Sequence, residues 1–95
     1  MANQTVLSEG EIAASAAKGW DLVDGALQKK LTLASVPAAV AHVVQAMFHA
    51  EQVDHHPDVA LTWRHVTYRL STHSAGGITQ LDLDLAERID GIGPT

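Results

Sequence analysis

The sequence predicts an α+β fold. One domain spans residues 1–95, with an antiparallel sheet of about four strands covered on one face by three helices. Three observations carry this expectation. Helix-start patterns stand at Ser8, at Val36-Pro37 and at Thr79. An Asp24-Gly25 pair separates two short segments rich in strand formers. A further strand-forming run, Val59 to His73, is too long to be one strand and has to fold back on itself.

The first helix begins at Ser8-Glu9-Gly10-Glu11, where an acid three residues after a serine makes a capping box. The run Ile12 to Ala17 continues it and Gly19 ends it. Trp20 to Val23 and Ala26 to Leu33 read as a hairpin turning at Asp24-Gly25, a pair that tolerates the backbone a tight hairpin needs. Leu27, Leu31 and Leu33 share one parity, but Lys29 interrupts the alternation.

Val36 to Val53 is the longest helical segment, and Pro37 suits a first helical position, where its missing N–H costs nothing. Val36, Val40, Val43, Val44, Met47 and Phe48 recur at helical spacing and predict an apolar stripe. Alanines Ala38, Ala39, Ala41, Ala46 and Ala50 surround it and would let another helix approach closely. The helix therefore reads as both core and subunit interface. It has to end by about His56, because the residue before Pro57 is pushed out of the α region.

Fifteen residues of unbroken strand from Val59 to His73 would span roughly 50 Å, so a break is required. No Gly or Asn marks the place. Gly76-Gly77 then interrupts the chain. Thr79-Gln80-Leu81-Asp82 resembles a second capping box, and Ile78, Leu81, Leu85 and Ile89 form the core stripe of a last helix, with Ala86 nearby. Gly91, Gly93 and Pro94 terminate it.

Composition narrows the function classes. There is no cysteine, which excludes disulfides and thiolate metal sites and fits an intracellular protein. The net charge is −5 without a Lys/Arg cluster, a poor match to nucleic acid. No apolar run reaches the roughly 20 residues of a membrane span. Met1 to Thr5 lack the basic flank and apolar stretch of a signal peptide, so the expected location is cytoplasmic.

Chemistry concentrates in Glu51-Gln52-Val53-Asp54-His55-His56-Pro57, followed by Trp63, Ser71-Thr72-His73-Ser74 and Asp82. Histidine ionises nearest neutrality, so such a cluster points to proton transfer or metal binding. His42, His49 and His65 lie outside it, and no compact metal spacing such as His-Glu-x-x-His is present. These three are expected at the surface or at an interface.

The run resembles the pterin-4a-carbinolamine dehydratase family. That family shows an acid, three residues, then His-His-Pro; an aromatic follows after five residues, a His after nine more and an Asp after about eight more. Here these are Glu51, His55-His56-Pro57, Trp63, His73 and Asp82. Looser similarity reaches from Leu7-Ser8 and Trp20 to about Ile89. The resemblance implies a hairpin near Arg64-His65. Val66, Tyr68, Leu70 and Thr72 would then share one face, and Thr67, Arg69, Ser71 and His73 the other. It also implies dimers or tetramers formed through sheet edges and the long helix.

The implied activity is elimination of water from 4a-hydroxytetrahydropterin to give quinonoid dihydropterin, supporting pterin cofactor recycling. Hydroxide leaves poorly, so the reaction needs an acid on oxygen and a base for the ring N–H proton. It needs no redox cofactor and no metal; the pterin is the substrate. His55 and His73 are the expected acid/base pair, with His56 a third catalytic candidate. The plain structural alternative is that His55 caps the long helix and His56 is a turn residue.

Asp54 is expected to accept hydrogen bonds from the pterin's amino and ring N–H groups, and Glu51, one helical turn before His55, to orient it. Pro57 directs the histidine pair. Ser71, Thr72 and Ser74 are implied near the ligand. Asp82 is expected to serve as a helix cap, as a site residue, or as both. Trp20 is a candidate to stack on the ring or a core residue, and Trp63 reads as packing. The chain departs from the family in its aromatics: Leu31, Leu33, Val36 and His42 occupy places where members usually carry them. A second reading is therefore a non-catalytic binding or assembly module on the same fold.

Overall fold

A computed structural model of the protein describes residues 5–15 and 18–93. Helix α1 (Glu9–Ala13) starts with the expected capping box. Glu11 N–H donates to Ser8 Oγ at 3.1 Å, and Ser8 N–H donates to Glu11 Oε1 at 2.9 Å. The helix stops at Ala13, earlier than expected; Ala16 and Ala17 of the expected remainder lie outside the described residues.

Strands β1 (Asp21–Val23) and β2 (Ala26–Thr32) turn at Asp24 and Gly25, whose φ values of 48° and 78° are both positive, as a two-residue hairpin loop of this kind requires. Strands β3 (Asp58–Thr62) and β4 (His65–Leu70) turn at Trp63-Arg64, one residue before the expected place. Trp63 takes φ 59°, a conformation that bulky residues seldom adopt. The residue is 68% exposed, so Trp63 is not the packing residue the sequence suggested. Arg64 and His65 flank it instead.

All strand pairs are antiparallel, in the order β1-β2-β4-β3. Leu27 pairs with Leu70, Lys29 with Tyr68 and Leu31 with Val66 on the core face; Gln28 with Arg69 and Lys30 with Thr67 lie on the other. The interruption at Lys29 has a local cause. Its ammonium donates to Asp90 at 2.7 Å and lies 5.8 Å from the Trp20 ring centroid, so the stem packs inward while the charge is paired.

Helix α2 (Val36–Val53) has the expected bounds, capped by Ser35, with Pro37 at the second rather than the first helical position. Its buried face is not the large apolar stripe. Ala38, Ala39, His42, Ala46 and Ala50 face the core, while Val36, Val40, Val44 and Phe48 are exposed and Val43 and Met47 are half-buried. Small side chains let the helix backbone settle close to a sheet already filled by Tyr68, Leu27 and Leu70. His42, expected at the surface or an interface, is buried instead, with Nδ1 2.7 Å from the Tyr68 hydroxyl. Helix α3 (Gln80–Asp90) adds Leu85, Ala86 and Ile89 to the same core. Among the described residues no helix is long and apolar enough to cross a membrane.

Candidate active site

The site is built where two elements end. At the C-terminus of α2, Asp54 adopts the left-handed conformation, φ 52° and ψ 44°. Asp54 N–H donates to the Glu51 carbonyl at 3.3 Å and His55 N–H to the Ala50 carbonyl at 3.1 Å. This bond pair closes a helix through a left-handed residue. It anchors the His55 backbone to α2, and the buried Pro57 carries the chain on toward β3.

After β4 the chain makes a tight loop. Thr72 N–H donates to the Gly77 carbonyl at 2.9 Å, and the Thr72 carbonyl accepts from Ala75 and Gly76 N–H at 3.0 and 2.9 Å. Gly76 has φ 79°, which favours glycine there. The loop presents His73 and Ser74 to solvent. Asp54, His55 and His56 from the first segment, Ser71 to Ser74 from the second, and Leu81 from α3 line one open cleft of about 350 Å³.

Each histidine has its own surroundings. His55 Nε2 lies 2.6 Å from Asp82 Oδ1, with the His55 side chain 12% exposed and Asp82 fully buried. Asp82 Oδ2 accepts from the Thr72 hydroxyl at 2.8 Å and from Thr79 N–H at 2.9 Å. Asp82 is thus a helix cap and the partner of His55 at once. His56 Nε2 pairs with Glu51 Oε2 at the surface. His73 is exposed, and its ring makes no hydrogen bond among the described residues.

The structure therefore redistributes several expected roles. Glu51 pairs with His56, not with His55; the chain reverses direction at Asp54 and carries His55 off the helical repeat. Thr72 lines the cleft, but its hydroxyl is spent on the buried carboxylate. Trp20 is not in this cleft: it is core, its indole N–H donating to Asp90 at 3.1 Å. A larger cleft of about 560 Å³ beside Trp20 holds no histidine. Sequence reasoning missed Leu81 as a wall and Thr79 as part of the carboxylate's support; the capping pattern at Thr79 was the available signal. Among the described residues no group of three or more His, Asp or Glu side chains is arranged to hold a metal ion.

The arrangement sets at one cleft an imidazole anchored to a buried carboxylate and another with no hydrogen bond among the described residues. A family model described as pterin 4 alpha carbinolamine dehydratase matches residues 5–92. The chain belongs to that family. A provisionally named pterin-4-alpha-carbinolamine dehydratase of Roseiflexus sp. (strain RS-1) is 49% identical over 74 residues, 78% of this chain and 80% of its own length. One of Mycobacteroides abscessus is 44% identical over 87 residues, 90% and 93% of the two chains. The crystal structure of a transcriptional coactivator/pterin dehydratase from Brucella melitensis superposes with a TM-score of 0.86 at 31% identity, covering 90% of this chain and 96% of that one. Membership places the chain among dehydratases, enzymes of the hydro-lyase class, and the four-stranded antiparallel sheet with its three helices is the family's architecture.

Proposed function

We propose that the protein eliminates water from a 4a-hydroxytetrahydropterin, giving the quinonoid dihydropterin, with His55 and His73 as the proton-transfer groups. The observation that carries this reading is the cleft itself. Three histidines line it; of these, His55, pinned by a buried carboxylate, and His73, whose ring has no hydrogen bond among the described residues, come from separate segments. The C–O bond breaks as the oxygen is protonated, and the proton on the neighbouring ring nitrogen is removed. Water leaves, no electrons change hands, and no cofactor is needed. Because Nε2 of His55 faces Asp82, Nδ1 is the atom left for the substrate.

Asp54 lines the cleft as an exposed carboxylate and suits the paired amino and ring N–H donors of a pterin. His56 with Glu51 borders the same opening, and Ser71 and Ser74 add polar groups. Turnover of this kind returns a spent pterin cofactor to a reducible form. The exposed stripe Val36, Val40, Val44 and Phe48 supports a further part of the reading, a homodimer or homotetramer assembled through α2. The same stripe favours the second reading, an assembly module with a silent site.

Dehydration of 4a-hydroxytetrahydrobiopterin, followed by absorbance, separates the two. The wild-type chain is expected to outpace the buffer reaction by orders of magnitude. A rate equal to buffer, with self-association intact, would leave the assembly module standing and end the dehydratase reading.

A further inference from the structure

We infer that Thr72 is a positioning residue: with Thr79 it locks the Asp82 carboxylate so that His55 keeps its proton on Nε2 and offers Nδ1 to the substrate. This rests on the reading of the His55 cleft as a dehydratase centre.

The direction of the chain of bonds follows from counting protons. A threonine hydroxyl has one proton to give. Thr72 Oγ1 lies 2.8 Å from Asp82 Oδ2 and 2.8 Å from Thr79 Oγ1. The carboxylate accepts, so the Thr72 proton points at Asp82, and Thr79 has to donate to Thr72. Thr79 Oγ1 in turn accepts from Leu81 N–H at 3.3 Å. Thr79 N–H supplies a second donor to Oδ2 at 2.9 Å. Every bond in the series is directed inward, and Oδ2 is occupied by two donors. Only Oδ1 is left for His55.

A carboxylate's terminal torsion is soft and roughly two-fold, so what fixes its plane is its partners. Two donors on one oxygen, one of them backbone, set the plane and aim Oδ1 at the ring. The imidazole then meets an acceptor at Nε2 and takes the Nε2–H tautomer, as an outer-shell acceptor selects a tautomer in other histidine sites. Thr72, Thr79 and Asp82 are all buried, so water is poorly placed to replace a missing hydroxyl. Thr72 also holds the loop that carries His73, but it does so through its backbone N–H and carbonyl, which a side-chain change leaves in place.

The test compares wild type, Thr72→Val and Thr72→Ser in two measurements. In steady-state dehydration, Thr72→Val is expected to lower kcat by about 10–100-fold, by analogy with losing the group that orients a metal-bound histidine, with KM changed little. Thr72→Ser, which keeps the hydroxyl, is expected to restore most of it. In long-range ¹H–¹⁵N NMR at about pH 8.5, above the ordinary imidazole range, His55 is expected as the Nε2–H tautomer in wild type and Thr72→Ser, and as a mixture in Thr72→Val. An unchanged kcat and tautomer in Thr72→Val would overturn the inference, and so would equal losses in Val and Ser. The tautomer change without dehydration by the wild type would sustain the positioning role and refute the dehydratase reading.

Discussion

Asp54 holds a left-handed backbone although it is not glycine, and it stands on the rim of the cleft. Its carboxylate is proposed to meet the pterin's N–H donors. Asp54→Gly is expected to leave thermal stability within about 1 kcal/mol of wild type or to raise it, since glycine adopts this conformation freely. Hydrogen bonds to a charged acceptor are worth roughly 1.5–3 kcal/mol, so KM for the pterin should rise at least about tenfold. Thermal denaturation and steady-state kinetics on the same preparation check both halves. The buried His42 yields a second expectation. Burial, then the charge of Lys29, holds its imidazole below the usual range, and burial pushes the Tyr68 hydroxyl well above its own. As pH falls below about 6.5 the unfolded chain binds the His42 proton before the folded one, so stability is full above that pH and declines beneath it. Urea denaturation from pH 7.5 to 5 should show that decline, and His42→Gln should flatten it. Neither feature was legible from the residue alone. His42 reads as a polar residue on an amphipathic helix until Tyr68, 26 positions away, supplies its partner.

At the scale of elements, the ends of α2 were legible and its faces were not. Ser35 and Pro37 mark the start and Pro57 bounds the end, all by local chemistry. The residue pattern predicts a helix that is both core and interface but does not say which face is which; large apolar residues usually line a core. Here the alanines do so, since a helix resting on Tyr68 and the strand leucines has room only for small side chains. The large residues are left outside, on the face that the proposed homodimer or homotetramer would cover. Phe48→Asp is therefore expected to leave the monomer folded, Phe48 being 69% exposed, and to shift the assembly to smaller species in sedimentation equilibrium. The β3–β4 turn escaped local reading for a different reason: Trp63 occupies a positive-φ position with no glycine to announce it. The order of residues His55, Thr72, Thr79 and Asp82 likewise conceals their meeting, which needs the end of α2, the end of β4 and the start of α3 brought to one place.

At the scale of the molecule, the fold serves to bring those three ends together. The spacing of Glu51, His55-His56-Pro57, His73 and Asp82 made the site recognisable, and the antiparallel sheet explains the spacing: β3 leaves the cleft and β4 returns to it. His55 and His73 are proposed to carry the two proton transfers across this cleft. The most direct measurement is the dehydration rate of 4a-hydroxytetrahydrobiopterin with His55→Ala and His73→Ala beside wild type, each variant first shown to be folded by circular dichroism. Each substitution is expected to slow kcat by about 10²–10⁴-fold, the scale of one positioned proton transfer. Two folded variants that both turn over at the wild-type rate would contradict the account.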